Sequence, residues 1–310
     1  MSSRRLIIAG GSGFIGRALT REFSRRGFAV TVLTRTPRPR TDGIAEEAWD
    51  GTQPGSWASR LEGAEALINL TGKNINCPHT PGNVRALTAS RVNSVQALAA
   101  AASQAKMPPR VWVQASAVGF YGDTGSLARD EDAPAGGGAL GTICQQWEAA
   151  FAAAALPATR KVVLRIGLVL GRDGGALPVL SRLTRGFLGG AAGDGRQYIS
   201  WIHLADLTAM FAAAVEDGKM AGAYNAVAPA AVTNAELMRE LRRALHRPWS
   251  PPAPALAVRW GARLMGSEGS LALTSQRCLP RRFLAAGFPF QFADIPAALR
   301  DLCQRPWPDN

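Results

Sequence analysis

Apolar and polar positions along this chain form short buried runs, joined by glycine turns or by longer segments with helical spacing. Leu6-Ile7-Ile8-Ala9 is an apolar run that ends directly in Gly10-Gly11-Ser12-Gly13-Phe14-Ile15-Gly16, and a helical segment follows to Arg26, where Gly27 stops it. Ala29-Val30-Thr31-Val32-Leu33 is the next strand-like run, ending at Thr34-Arg35. Ala66-Leu67-Ile68-Asn69-Leu70 reads as a buried strand closed by Thr71-Gly72, and the segment 83–105 carries Val84, Leu87, Val95 and Leu98 at helical spacing. The pattern then gives a strand over 110–116, a helix over 141–155 and a strand over 161–170. Strands alternating with helices predict an α/β fold, a Rossmann-type doubly wound parallel sheet. Ligands of such sheets bind at the carboxyl ends of strands, so the turns after Ala9, Leu33, Leu70, Ala115 and Leu170 are expected to face one crevice. After Gly171 the texture changes: glycine-rich 186–195, proline-rich 248–254 and the tail around 278–296 predict a smaller C-terminal substrate-covering region.

The first turn is the most specific chemical signal. One of Gly10 and Gly11 is needed for a backbone with φ > 0, Gly13 for the absence of a Cβ where a pyrophosphate would lie, and Gly16 for close approach of helix to strand. The spacing fits both G-x-x-G-x-x-G and G-x-G-x-x-G, and its place between two strands and a helix predicts dinucleotide binding, with phosphates on the free N–H groups of the helix. Arg35 stands where an NAD site carries an acid for the ribose 2′-OH, and the residues after it are Thr36-Pro37-Arg38-Pro39-Arg40. A guanidinium there can grip a 2′-phosphate, so NADP(H) is the expected cofactor; the other reading of Arg35 is a solvated basic loop. The expected division is a dinucleotide-binding domain over 1–170, with a return segment about 205–228, and a substrate region over 171–204 and 229–310.

The chain of 310 residues, 47% hydrophobic, supplies a sizeable core. No apolar run approaches the ~18 residues of a membrane span, and the apolar stretch after the basic start is too short for a signal peptide, so a cytoplasmic protein with no membrane partner is expected. Cys77, Cys144, Cys278 and Cys303 are dispersed, as are His79, His203 and His246, which excludes a zinc motif or a disulfide framework. The net charge of +12 raises nucleic-acid binding as a function class, but the basic residues are scattered and lack interleaved aromatics. A small-molecule substrate is the expected partner, and the oligomeric state stays open, a homodimer included.

The ordered motifs resemble the extended, or atypical, short-chain dehydrogenase/reductases, and within them the epimerase-like oxidoreductases of unassigned substrate. The resemblance runs through Gly10 to Gly16, Leu67-Ile68-Asn69-Leu70-Thr71-Gly72, Ser90-Arg91-Val92-Asn93-Ser94, Ser116-Ala117-Val118-Gly119-Phe120-Tyr121-Gly122 and Trp147-Glu148. It continues through Leu164-Arg165-Ile166-Gly167-Leu168-Val169-Leu170-Gly171, the stretch from Gly193 to His203, Tyr224-Asn225-Ala226-Val227-Ala228-Pro229 and Gly287-Phe288. It implies that Gly10, Gly11, Ser12, Gly13, Phe14, Ile15 and Gly16 hold the cofactor, with Thr34 and Arg35 at the 2′-phosphate. Leu70, Thr71 and Gly72 would wall the cofactor, Arg91 would give a basic contact from a helix, and Val169 would lie near the nicotinamide. Strand core stays open for Leu70 and Val169, and a solvated helix position for Arg91.

Reductases of this superfamily pair a Tyr with a Lys four residues on, the Lys lowering the phenol's pKa. The three tyrosines here, Tyr121, Tyr198 and Tyr224, and the lysines Lys73, Lys106, Lys161 and Lys219 make no Y-x-x-x-K, and the segment 141–148 where the pair would fall has neither residue type. The substitute candidates are Ser116 and Tyr121, after a strand on the crevice side, and His203, which reads equally as a helix-start residue. With no cation in view, Tyr121 is expected to keep an ordinary phenol pKa near ~10. Two function classes remain. One is an NADP(H)-dependent oxidoreductase or epimerase-like enzyme on a small carbonyl or sugar-derived substrate; the other is a non-catalytic NADP(H)-binding redox-sensing regulator.

Overall fold

In the computed structural model, which describes residues 4–304 apart from 265 and 267, the apolar runs assemble into one parallel sheet. The first strands are β1 (Arg5–Ala9), β2 (Ala29–Thr34), β3 (Ala45–Ala48), β4 (Ala66–Asn69), β5 (Val111–Ala117) and β6 (Arg160–Ile166), with helices α1 (Phe14–Arg25), α2 (Pro81–Ser103) and α3 (Gly138–Ala153) between them. Next come β7 (Leu168–Leu170), α4 (Leu177–Arg185), β8 (Tyr198–Ile199), β9 (Trp201–His203), α5 (Leu204–Glu216) and β10 (Gly222–Ala226). The described chain closes with β11 (Val232–Thr233), α6 (Asn234–Ala244), α7 (Ala255–Leu264), α8 (Ser270–Leu273), α9 (Arg281–Ala285) and α10 (Ile295–Gln304). The sheet order is β10-β6-β5-β4-β1-β2-β3, and every neighbouring pair is parallel.

Strands covered on both faces read as unbroken apolar runs, which is why β1 and β4 were legible. Ile8 lies opposite Val32 on one side and Ile68 on the other, and all three side chains are buried. Helices pack in pairs, α1 with α5 and α2 with α3, as covering both faces of a doubly wound sheet requires. A second, separate core gathers Leu170, Leu177, Trp201, Leu237, Leu241, Leu299 and Leu302, where α6 meets α10. The fold is thus the Rossmann-type α/β architecture expected. Residues 1–3 and 305–310, which the expected division includes, lie outside the described residues.

Two elements differ from the sequence reading. The strand expected over 161–170 breaks at Gly167, where β6 stays in the large sheet and β7 pairs instead with β9. A Cβ at Gly167 would stand 2.5 Å from the Ser200 carbonyl oxygen, so only glycine lets the chain change sheets there. Strand β3 was not foreseen because Ala-Glu-Glu-Ala has no apolar run; it is an outer edge strand held by pairing with β2.

Candidate functional site

The glycine turn sits at the carboxyl end of β1, between the ends of β2 and β4. Gly10 is the residue with positive φ, at 78°, and its N–H donates to Leu33 O at 3.0 Å. A Cβ on Gly16 would lie 2.5 Å from Gly11 Cα, so the helix closes against its own turn. At Gly13 the added Cβ would meet only Gly10 O, at 3.5 Å, which leaves the space above it open. Gly13 caps α1 with no side-chain bond, and the first turn of α1 has no acid. The N–H groups of Phe14, Ile15 and Gly16 therefore have no intrahelical partner, the arrangement that holds a phosphate. Phe14 and Arg17 tie down the loop after β7: a Cβ on Gly171 would stand 2.5 Å from Phe14 Cζ, and Arg17 donates to Asp173 O at 3.3 Å.

The flanking walls are equally defined. Thr34 Oγ1 donates to Ser12 Oγ at 3.1 Å, which spends the Thr34 hydroxyl on bracing the turn. Arg35 is exposed and forms no side-chain hydrogen bond or ion pair among the described residues, whereas Arg40 in the same loop is taken up by Asp42 and Glu46. Leu70 and Thr71 lie against Gly10, the Leu70 carbonyl carbon being 3.2 Å from where its Cβ would be. Thr71 Oγ1 is buried without a partner. Gly72 abuts the Arg91 guanidinium, which is 8% exposed, donates to Leu87 O at 2.9 Å and stacks over Trp147. Burial lowers the Arg91 pKa. Val169 is half-buried, with its carbonyl facing Gly175. The open cradle above Gly13, the bare helix end and the orphaned Thr71 hydroxyl fit a bound dinucleotide.

The catalytic candidates separate. Ser116, at the end of β5, donates from Oγ to Glu148 Oε1 at 2.6 Å. Arg165 holds the same carboxylate with Nε at 3.0 Å and Nη2 at 2.8 Å, stacks over Phe120 at 3.5 Å, and donates from Nη1 to Tyr121 OH at 2.8 Å. The phenol in turn donates to Asn225 Oδ1 at 2.8 Å. The expectation of a cation-free Tyr121 with an ordinary pKa is corrected by these contacts: the phenol touches Arg165, and burial pushes its pKa up to about 12 against the pull of that guanidinium. Its one hydrogen is committed to Asn225.

His203 belongs to a different set of contacts. It caps α5, its Nδ1 accepting from Ala205 N at 3.0 Å, stacks on Phe292 and faces Asp301 at 3.4 Å. Burial lowers its pKa, with Asp301 and Asp206 opposing.

Glu148 and Arg165 were missed as site residues. The signal was present: Arg165 interrupts the apolar run that Val162-Val163-Leu164 begins in β6, and Glu148 follows Trp147 one turn after the buried Cys144 of α3. Among the described residues no cluster of metal-binding side chains occurs, and no helix is long and apolar enough to cross a membrane.

Comparison with known proteins agrees with this geometry. Residues 6–226 match the NAD dependent epimerase/dehydratase family, and residues 253–302 match a domain of unknown function, DUF1731. Epimerase family protein SDR39U1 of Bos taurus is 39% identical over 306 residues, 96% of this chain and 99% of that protein. The Homo sapiens protein of the same description is 36% identical over 96% of this chain and 99% of its own length. The crystal structure of human epimerase family protein SDR39U1 (isoform 2) with NADPH superposes with a TM-score of 0.86 at 34% identity, over 97% of this chain and 99% of that one. A nucleoside-diphosphate sugar epimerase from Corynebacterium glutamicum gives 0.79 at 32% identity, over 99% of this chain and 60% of that one.

Proposed function

Because the chain belongs to the NAD dependent epimerase/dehydratase family, we propose that it is an NADP(H)-dependent oxidoreductase acting on a small carbonyl or sugar-derived substrate. The observation that carries this reading is the open cradle above Gly13 at the bare N-terminus of α1, with Ser116 near the carboxyl end of β5, two strands along the same parallel sheet. Support for the cofactor comes from the NADPH in the human relative and from the uncommitted Arg35 where an acid would favour NAD. In this reading Gly10 to Gly16 hold the pyrophosphate, Arg35 grips the adenosine 2′-phosphate while Thr34 braces Ser12 beside it, and Leu70, Thr71, Gly72, Arg91 and Val169 line the remainder. The bound cofactor supplies or takes up a hydride at its nicotinamide. The chain's part is to orient the substrate and move one proton, and the segments 171–204 and 229–310 cover the substrate.

A second reading, a redox-sensing NADP(H)-binding regulator without catalysis, draws on two observations. Segment 141–148 holds neither Tyr nor Lys, and the Tyr121 hydrogen is already bonded. One experiment separates the two. NADPH is expected to raise the melting temperature more than NADH at equal concentration, and turnover is expected in one direction or the other, as NADPH oxidation with a reactive quinone or dicarbonyl or as NADP+ reduction with an alcohol. Equal stabilisation by the two cofactors removes the NADP(H) assignment; NADPH binding with no turnover across a broad carbonyl and alcohol panel supports the regulator.

A further inference from the structure

Without a Tyr–Lys pair, any proton must travel by groups the chain does place together. At the end of β5 the Ser116 hydroxyl and the Glu148 carboxylate are 2.6 Å apart, and Arg165 grips that carboxylate through two further bonds. Arg165 is itself fixed by Tyr121 and by the face of Phe120. The Glu148 side chain is only 13% exposed. Cys144 lies within hydrogen-bonding reach of Ser116, and burial pushes its pKa up to about 11, so it stays a thiol at neutral pH.

A hydroxyl has one hydrogen and two lone pairs. Ser116 spends its hydrogen on Glu148 and has only lone pairs left for a ligand. It is thus set to accept from an alcohol O–H, whereas a carbonyl oxygen would need the hydrogen Ser116 has given away.

Resting on the oxidoreductase reading above, we propose that Ser116 and Glu148 form the proton-accepting pair of this site, and that the site takes its substrate as an alcohol. The proton of the substrate hydroxyl passes to Ser116 Oγ while the hydrogen on Ser116 passes to Glu148 Oε1. The hydrogen on that carbon leaves with its bonding electron pair as a hydride, which oxidised NADP would take up, so the alcohol loses one hydride and one proton, two hydrogens and two electrons in all, and becomes a carbonyl. In the reverse direction Glu148 returns its proton through Ser116, so a cycle of oxidation and re-reduction at one carbon needs no outside acid. Ser116 touches the substrate; Glu148 acts through Ser116, and Arg165 and Tyr121 position Glu148.

The test uses the full chain. In the ligand-free protein, proton NMR is expected to show a downfield, slowly exchanging hydroxyl signal that disappears in Ser116→Ala. With NADP+ and a panel of secondary alcohols and polyols, Ser116→Ala and Glu148→Gln are each expected to lower kcat by about 10²-fold with NADPH affinity unchanged. The double variant is expected to lose no more than either single one, as groups acting in one unit do, and Glu148→Asp to recover part of the rate. Glu148→Gln disturbs the buried Arg165 pair and is open to misfolding; Ser116→Ala leaves that pair whole and carries the test alone with the NMR signal. Full activity in a folded Glu148→Gln protein, losses that multiply in the double variant, or no hydroxyl signal overturns the pair while the oxidoreductase reading stands. A wild-type protein that binds NADPH yet turns over nothing overturns both.

Discussion

A buried hydroxyl answers to its neighbours before it answers to a substrate, and Tyr121 is bound in this way on both sides. Its oxygen accepts from Arg165 and its hydrogen goes to Asn225, so Tyr121→Phe leaves one guanidinium donor and one amide oxygen unmet. Leaving buried polar groups unsatisfied costs about 1–3 kcal/mol, and denaturant unfolding of Tyr121→Phe is expected to show a loss in that range with NADPH affinity intact. A variant as stable as wild type contradicts the network. Arg35 is the opposite case, an exposed guanidinium with no partner among the described residues. Arg35→Asp is expected to weaken NADPH on the order of 10- to 100-fold and to favour NADH, with little change in the melting temperature of the free protein. Titration calorimetry with both cofactors checks it; unchanged NADPH affinity would place the 2′-phosphate elsewhere.

At the scale of elements, two glycines of one turn serve different ends. Gly13→Val adds a side chain into open space and is expected to abolish NADPH binding while cooperative unfolding is kept; Gly16→Val drives a side chain into the Gly11 backbone and is expected to lose both. Circular dichroism melts with and without NADPH distinguish them, and a Gly13→Val protein that still binds NADPH would move the phosphate site. The unit β1–α1–β2 was legible because apolar runs, glycine spacing and helical stop all lie within Arg4 to Arg35, where local rules apply. The features that stayed hidden depend on distant partners. The break at Gly167 answers to Ser200, the strand Ala45–Ala48 exists through its pairing with β2, and Ser116 finds Glu148 across 32 residues. Tyr121 misled for the same reason: its cation, Arg165, lies 44 residues away.

For the whole molecule, the joint between the two cores is expected to respond to pH. His203 caps α5 while pressed between Phe292 and Asp301, and Asp206 on α5 accepts the N–H groups of Gln291 and Phe292, so α10 and the strap before it are anchored there. Burial lowers the His203 pKa against Asp301 and Asp206, so the folded protein holds neutral imidazole where the unfolded chain is protonated. Stability is then complete above the ordinary histidine value of ~6.5 and falls as pH drops below it toward the folded pKa. Melting temperature is expected to decline through that window, and His203→Asn, which keeps a capping side chain, to flatten the slope; an unchanged slope would assign it to other groups. The sheet order has a consequence for synthesis. β6 finds its outer neighbour only when β10 emerges, about 60 residues later, which at ~5–20 residues per second leaves an apolar parallel edge open on the ribosome for roughly 3–12 s. Arg160 and Lys161 at its start are the kind of charged gatekeeper that discourages a neighbouring nascent chain from pairing there, until Arg160 turns to cap the last carbonyls of α5.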